Sequence, residues 1–429
     1  MTVESEVKKE THTRSEEKHD ARPEKKPRVY SVEFWRFAFT VIVALYHLEI
    51  FYQKKLMPSG TSAVEFFFVL AGFTIAMSAS GRIAAGGSRE LSAREAHGAA
   101  WDYLKKKLLM IYPVLTITLI VTLIIIPLAG VSFQAGFGSV GAGAGAGFLQ
   151  KAYAQIKVLI NSEWEWLMMV GTPMGFNNTT AASAPIVPLW FLTQLIVVGY
   201  FYTFLINRKY DFTMFAAPLI SVLGFIFFVL NSENNLDFYI KMGFLNAGTV
   251  RALTEMAMGI SIYQIYTYMT NRDWKLPGKI LFQLLELFAI YRYCALTFNA
   301  QLSIDNFRRI PYILIIILLS FVNITYLSKL LNRKFMAKLG KLSLPMYLIH
   351  FPIATVYYYL IYTLKMKPVA RTLPAFFMRS GGADRMFPQI PLSLGDVVMY
   401  LPFVIIVSVL MNLLVNGIKA SLRKARQQA

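Results

Sequence analysis

The stretch SVEFWRFAFTVIVALYHLEIF, residues 31–51, is long and apolar enough to cross a bilayer, yet it carries Arg36 and His47. A helix spans the hydrocarbon core with about 20 apolar residues. The step from Arg36 to His47 turns such a helix through about 1,100°, three turns plus roughly 20°, and lifts it by about 16 Å. The two side chains therefore face one way, with Arg36 near one membrane surface and His47 near mid-depth. Ionisable groups inside a spanning helix are costly, so they normally face a bundle interior or a wet cavity that uses them. Taken singly, Arg36 reads equally well as an interface-snorkelling side chain and His47 as a hydrogen-bonded core residue. Their shared facing favours a joint role.

The rest of the chain agrees with a membrane setting. Hydrophobic residues fill 56% of the 429 positions and charged ones 16%, and the mean hydropathy is +0.48. Soluble domains carry roughly 45–50% and about 25% respectively. The expected fold class is all-α, a polytopic helical bundle whose partner is the lipid bilayer. A net charge of +19 raises nucleic acid as a partner. The basic residues, however, lie in short segments between apolar runs and form no stripe interleaved with aromatics, so no nucleic-acid partner is expected. Cys294 is the single cysteine, which excludes an intrachain disulfide and a thiolate cluster. The histidines are scattered without ligand spacing, and no metal is expected.

Residues 1–29 form a charged tail without a signal-like apolar core, read as disordered and cytoplasmic. The transmembrane domain is placed at 30–418, with about ten spans: 30–52, 62–80, 105–129, 187–206, 212–230, 246–267, 278–299, 310–329, 342–364 and 396–418. With the amino end inside, Arg82, Arg89 and Arg94, then Arg208 and Lys209, then Arg272 and Lys275 fall in inner loops, as does the cluster from Lys329 to Lys341. This follows the positive-inside rule and puts both termini in the cytoplasm, the second as a basic tail over 419–429. The loop 365–393 is basic yet falls outside, which reads either as a surface for an anionic acceptor or as a miscounted span. The outer segment 130–186 opens with a Gly/Ala run and continues as an interfacial amphipathic helix bearing Trp164 and Trp166.

Further polar groups interrupt the apolar spans. Glu65 precedes Phe66-Phe67-Phe68, where a carboxylate can accept from an imidazole or pair with a cation. Arg251 and Glu255, four residues apart, are neighbours on one helix face and are expected to neutralise each other, with acceptor binding as the second reading. Arg292 needs a partner that the sequence does not name. His350 closes the run from Ser343 through Tyr347, near the middle of the ninth span.

Together these residues resemble the acyltransferase 3 family of integral membrane acyltransferases, over about residues 31–360. Arg36 and His47 match its opening signature of Arg, ten residues, then His. Glu65 to Phe73 is similar to its acidic residue, paired phenylalanines and Ser-Gly-Phe ending, with Ala71 where Ser is usual. Lys105, Lys106, Lys107 and Pro113 stand for its basic cluster, although the second of its paired arginines falls on Met110. Pro188-Leu189-Trp190-Phe191-Leu192 is similar to its fourth-span motif, followed here by Gln194 where some members have Glu. Tyr347 to His350 looks like its late Tyr-Leu-Ile-His motif.

The resemblance implies a cell-surface O-acetyltransferase, multi-pass in a plasma membrane of bacterial inner-membrane type. The donor is then acetyl-CoA and the acceptor a hydroxyl on an extracytoplasmic glycan or glycolipid. Transfer from a thioester requires the hydroxyl to lose its proton as it attacks, and imidazole is suited to take it. His47 is the expected general base, or a transient acyl carrier, with Glu65 as the second catalytic group. Arg36 and Lys105 to Lys107 are expected to hold the phosphates of coenzyme A, with Trp190 beside them. Arg251, Glu255 and His350 are expected at the acceptor. A secondary transporter would also bury Arg, Glu and His, but paired broken helices in equivalent halves are not evident. A non-catalytic scaffold would leave the buried charges paired only with each other.

Overall fold

The computed structural model describes residues 29–49, 57–128, 149–150, 153, 189–231, 240–243, 245–299, 308–365 and 393–428. Among them lie eleven α-helices: α1 (Ser31–Glu49), α2 (Glu65–Ala84), α3 (Ala93–Leu128), α4 (Leu189–Arg208), α5 (Tyr210–Asn231), α6 (Ala247–Thr270), α7 (Leu276–Asn299), α8 (Ile310–Val322), α9 (Tyr326–Leu331), α10 (Met336–Lys365) and α11 (Leu394–Gln428). A 3₁₀ turn, Gly60–Val64, leads into α2. A two-residue hairpin pairs Lys241–Met242 with Leu245–Asn246 before α6. The fold is an all-α membrane bundle. Six segments are long and apolar enough to span by length and composition: α1, the turn with α2, α4, α5, α7 and the first part of α11. The expected tail 1–29, the outer segment 130–186 and the basic loop 365–393 lie outside the described residues, apart from 29, 149–150, 153, 365 and 393.

Several boundaries moved for local reasons. α3 starts at Ala93 rather than 105 because Ser92 and Glu95 form a reciprocal cap: Ser92 N donates to Glu95 Oε2 (2.9 Å) and Glu95 N to Ser92 Oγ (3.3 Å). Hydrogen bonds from Ser92 hold the exposed Glu95 carboxyl below its usual range. The expected span 310–329 breaks after Val322, where Asn323 turns left-handed (φ 57°). Thr325 then caps α9 by accepting from Ser328 N (3.2 Å). α11 continues as helix from the apolar part through the basic residues to Gln428.

The bundle has a buried centre and a lipid-facing rim. The spanning windows of the turn with α2 and of α4 are 78% and 72% buried, whereas those of α5, α7 and α11 are only 22% buried. On α5 the exposed Phe215, Leu219, Val222 and Ile226 recur at helical spacing, an apolar stripe that water would penalise and lipid accepts. At the centre, α2 crosses α6 in backbone contact. A Cβ at Gly72 would collide with the Met256 carbonyl, and one at Gly259 with the Val69 carbonyl. Paired small residues let helices close to this distance where apolar burial gives no preference between lipid and protein. α1 lies along α10, and Phe39 of α1 stacks on Phe66 of α2 (centroids 4.2 Å, 10°).

Candidate active site

A cavity of about 610 Å³ opens among α1, α2, α3, α4 and α10, with Tyr266 of α6 and Phe321 of α8 closing its side. Its charged lining is Glu33, Arg36 and Lys107; most of the remainder is apolar, including Leu70, Ala71, Met110 and Phe191. Arg36 Nη1 bonds Glu33 Oε2 at 2.8 Å, with side-chain exposures of 31% and 11%. The pair is an i,i+3 one, a spacing that places the two side chains on the same helix face. Gly340 makes room for it, since a Cβ there would collide with the Glu33 carboxylate. Lys107 Nζ sits 5.3 Å from the centroid of the Tyr103 ring and has no ion pair among the described residues. Successive helical residues point about 100° apart, so three lysines in a row cannot share one facing. Lys105 and Lys106 are exposed and do not line the cavity; Lys105 lies over Trp101 instead.

Three rings close the far side of the cavity. Phe67, Phe191 and Tyr347 all line it and lie within 6.5 Å of one another by centroid (Phe67–Phe191 5.9 Å, Phe191–Tyr347 5.5 Å, Phe67–Tyr347 6.5 Å). Beyond Tyr347 stands His350, with ring centroids 5.8 Å apart. His350 Nε2 lies 3.1 Å from His47 Nδ1, and the two imidazoles are 4.9 Å apart by centroid. His47 Nδ1 also bonds the Val43 carbonyl (2.9 Å), and His350 Nδ1 the Met346 carbonyl (3.1 Å). His350 is fully buried while His47 is partly accessible. The Tyr400 hydroxyl of α11 donates to the His350 carbonyl (3.0 Å) and reaches the Ala44 carbonyl (3.4 Å), tying α1, α10 and α11 together at this level. His47 thus meets α10 at His350 while Arg36 opens on the cavity, and the two do not share one cavity wall. The aromatic layer stands between them.

The remaining expected site residues gather in a second cluster. Arg251 pairs with Glu65 across the α2–α6 contact and lies over the Trp190 ring (5.4 Å to the centroid). Glu255 lies close enough to Glu65 and Arg251 to feel both charges, while neither of its carboxylate oxygens has a hydrogen-bond partner among the described residues. The expected local pair of Arg251 with Glu255 is therefore a trio centred on Glu65. It forms because the close crossing at Gly72 and Gly259 brings the two helices together. Exposures of 2% for Arg251, 4% for Glu65 and 1% for Glu255 seal the trio from bulk water. No imidazole partner of Glu65 occurs among the described residues. Trp190 is buried beside Phe68 (6.3 Å) and does not line the cavity; its neighbour Phe191 does. Arg292 is half-buried and has no ion pair among the described residues.

The fit to a phosphorylated thioester is good on these observations. A cavity of this size falls in the range that takes a ligand-sized molecule. One cation in it has no ion pair, and a second is partly exposed and held in orientation by a carboxylate. Beyond the rings a pair of imidazoles offers a nitrogen lone pair. The model of a protein family described as an acyltransferase domain matches residues 29–413 of the chain. No curated protein and no solved structure matches it.

Proposed function

The chain belongs to the acyltransferase 3 family, and from that premise we propose that it moves an acetyl group from cytoplasmic acetyl-CoA to a hydroxyl of an extracytoplasmic glycan or glycolipid. One observation carries the reading. A single helix, α1, presents Arg36 to the cavity and His47 to the imidazole pair, with the ring layer between them. Arg36 and Lys107 hold the donor's phosphates through charge-assisted hydrogen bonds. The apolar lining takes the thioester arm, whose acyl end is directed toward Tyr347.

In this reaction His47 accepts the proton of the acceptor hydroxyl as the oxygen attacks the thioester carbon. The C–O bond forms, the C–S bond breaks, and the thiolate leaves with the proton that His47 returns. Glu65, Arg251 and Glu255 serve the bundle rather than the acceptor, because their burial leaves no path for a glycan hydroxyl. Lys105 and Lys106 face away from the donor.

A positioned general base contributes about 10²–10⁴-fold in rate. Replacing His47→Ala should lower label transfer from radiolabelled acetyl-CoA to cell-envelope glycans by at least that much, in membranes that contain equal amounts of folded protein. Transfer at the wild-type rate would remove His47 from the mechanism.

A further inference from the structure

The contacts around the two imidazoles settle where their hydrogens lie. Each Nδ1 approaches a backbone carbonyl four residues earlier in its own helix, Val43 for His47 and Met346 for His350. A carbonyl oxygen only accepts, so each Nδ1 carries the hydrogen and each Nε2 of the neutral ring carries the lone pair. The reverse assignment on either ring sets two lone pairs against each other. His350 Nε2, 3.1 Å from His47 Nδ1, is then an acceptor facing a donor. The Nδ1–H of His47 is shared between Val43 O and His350 Nε2, which leaves His47 Nε2 bare. His350 itself has no route to a substrate: it is fully buried, its Nδ1 is occupied, and Tyr347 separates it from the cavity.

We propose that His350 is the positioning residue of the reaction, accepting the Nδ1–H of His47 so that His47 Nε2 is the atom that takes the acceptor's proton. The inference rests on the reading of His47 as general base. When that proton arrives, His47 becomes an imidazolium whose Nδ1–H bond to His350 turns charge-assisted and strengthens. The same bond is weaker before the proton transfer, so it favours the transition state over the ground state and acts on kcat. His350 neither gains nor loses a covalent bond, and the proton balance of the transfer is unchanged. Tyr400 supports the arrangement by fixing the His350 backbone against α1.

The test uses the full chain in vesicles with acetyl-CoA and a cell-envelope glycan fraction. His350→Gln keeps an amide oxygen near the site of Nε2, and His350→Leu removes the acceptor. The Val43 carbonyl still holds the hydrogen on His47 Nδ1 when His350 is replaced, so what is lost is one hydrogen bond that becomes charge-assisted in the transition state, roughly 10- to 150-fold in rate. His350→Leu should therefore lose at least about 10-fold in kcat with KM for acetyl-CoA unchanged, and His350→Gln should recover most of that loss. Full kcat in His350→Leu overturns the proposal. So does a raised KM at unchanged kcat, or a His350→Gln protein as inactive as His350→Leu when both melt like wild type. Should neither variant fold, ¹⁵N spectra of labelled histidine in the wild type decide. They should show His47 protonated at Nδ1 with Nε2 bare, and the opposite tautomer overturns the proposal. His47→Ala in the same assay separates the two readings: activity there removes the base itself, whereas inactivity there with a fully active His350→Leu removes only the role of His350.

Discussion

Arg36 and Arg251 both sit in membrane helices, and their surroundings give them opposite uses. Arg36 has one carboxylate partner three residues away, keeps 31% of its side chain accessible, and faces the cavity. Arg251 is 2% exposed, bound to Glu65, near Glu255 and covered by Trp190. A guanidinium with open donors can receive a phosphate. One enclosed by carboxylates and an indole face is already engaged by the protein and has no room for a ligand. Residue type and depth do not separate the two, whereas the room left around the charge does.

The largest effect is expected at Arg251. Removing one member of a buried ionic group leaves the others uncompensated, at a cost of about 3–5 kcal/mol. Arg251→Ala should thus lower the thermal midpoint in detergent sharply, and adding Glu65→Gln and Glu255→Gln should restore part of it. A melt equal to wild type would show that the trio does not hold α2 to α6. Arg36→Ala should act on the ligand instead. Loss of a charge-assisted contact worth about 1.5–3 kcal/mol raises KM for acetyl-CoA roughly 10- to 150-fold. The melt should fall by far less than in Arg251→Ala, since the Arg36–Glu33 pair is partly accessible to water, unlike the sealed trio. A smaller effect of the same kind is expected for Lys107→Gln: about 10-fold in KM, reduced in high salt as partly exposed charges are screened. Lys105→Ala and Lys106→Ala sharpen the contrast from the other side, with changes within about 0.5 kcal/mol in stability and no shift in KM. A KM shift from either would return these lysines to the donor site.

Much of this was open to a reader of the sequence. Arg36 and His47 drew attention to α1 because two ionisable groups eleven residues apart share a facing on a helix; His47 meets His350 of α10, and Arg36 opens on the cavity that α10 helps to line. The Ser92–Glu95 cap was also written in the chain and sets the start of α3. Pairing across the bundle was not readable. His47 and His350 are 303 residues apart, and no local spacing signals that they meet. Arg251 was matched to Glu255 because helical neighbours are visible in sequence, while Glu65 reaches it only through the glycine crossing of α2 with α6. The three lysines looked equivalent as a cluster, and only the rotation of α3 singles out Lys107. Asn323 could have warned of the break in the eighth segment, since asparagine is among the few residues that adopt left-handed backbone readily.

The three rings of Phe67, Phe191 and Tyr347 have a consequence for the host cell as well as for the chemistry. A continuous column of water from one membrane face to the other would let ions through and discharge the gradients that the membrane maintains. Packed on one another where the cavity ends, these side chains let the bundle house a pocket among its spanning helices while remaining an electrical insulator.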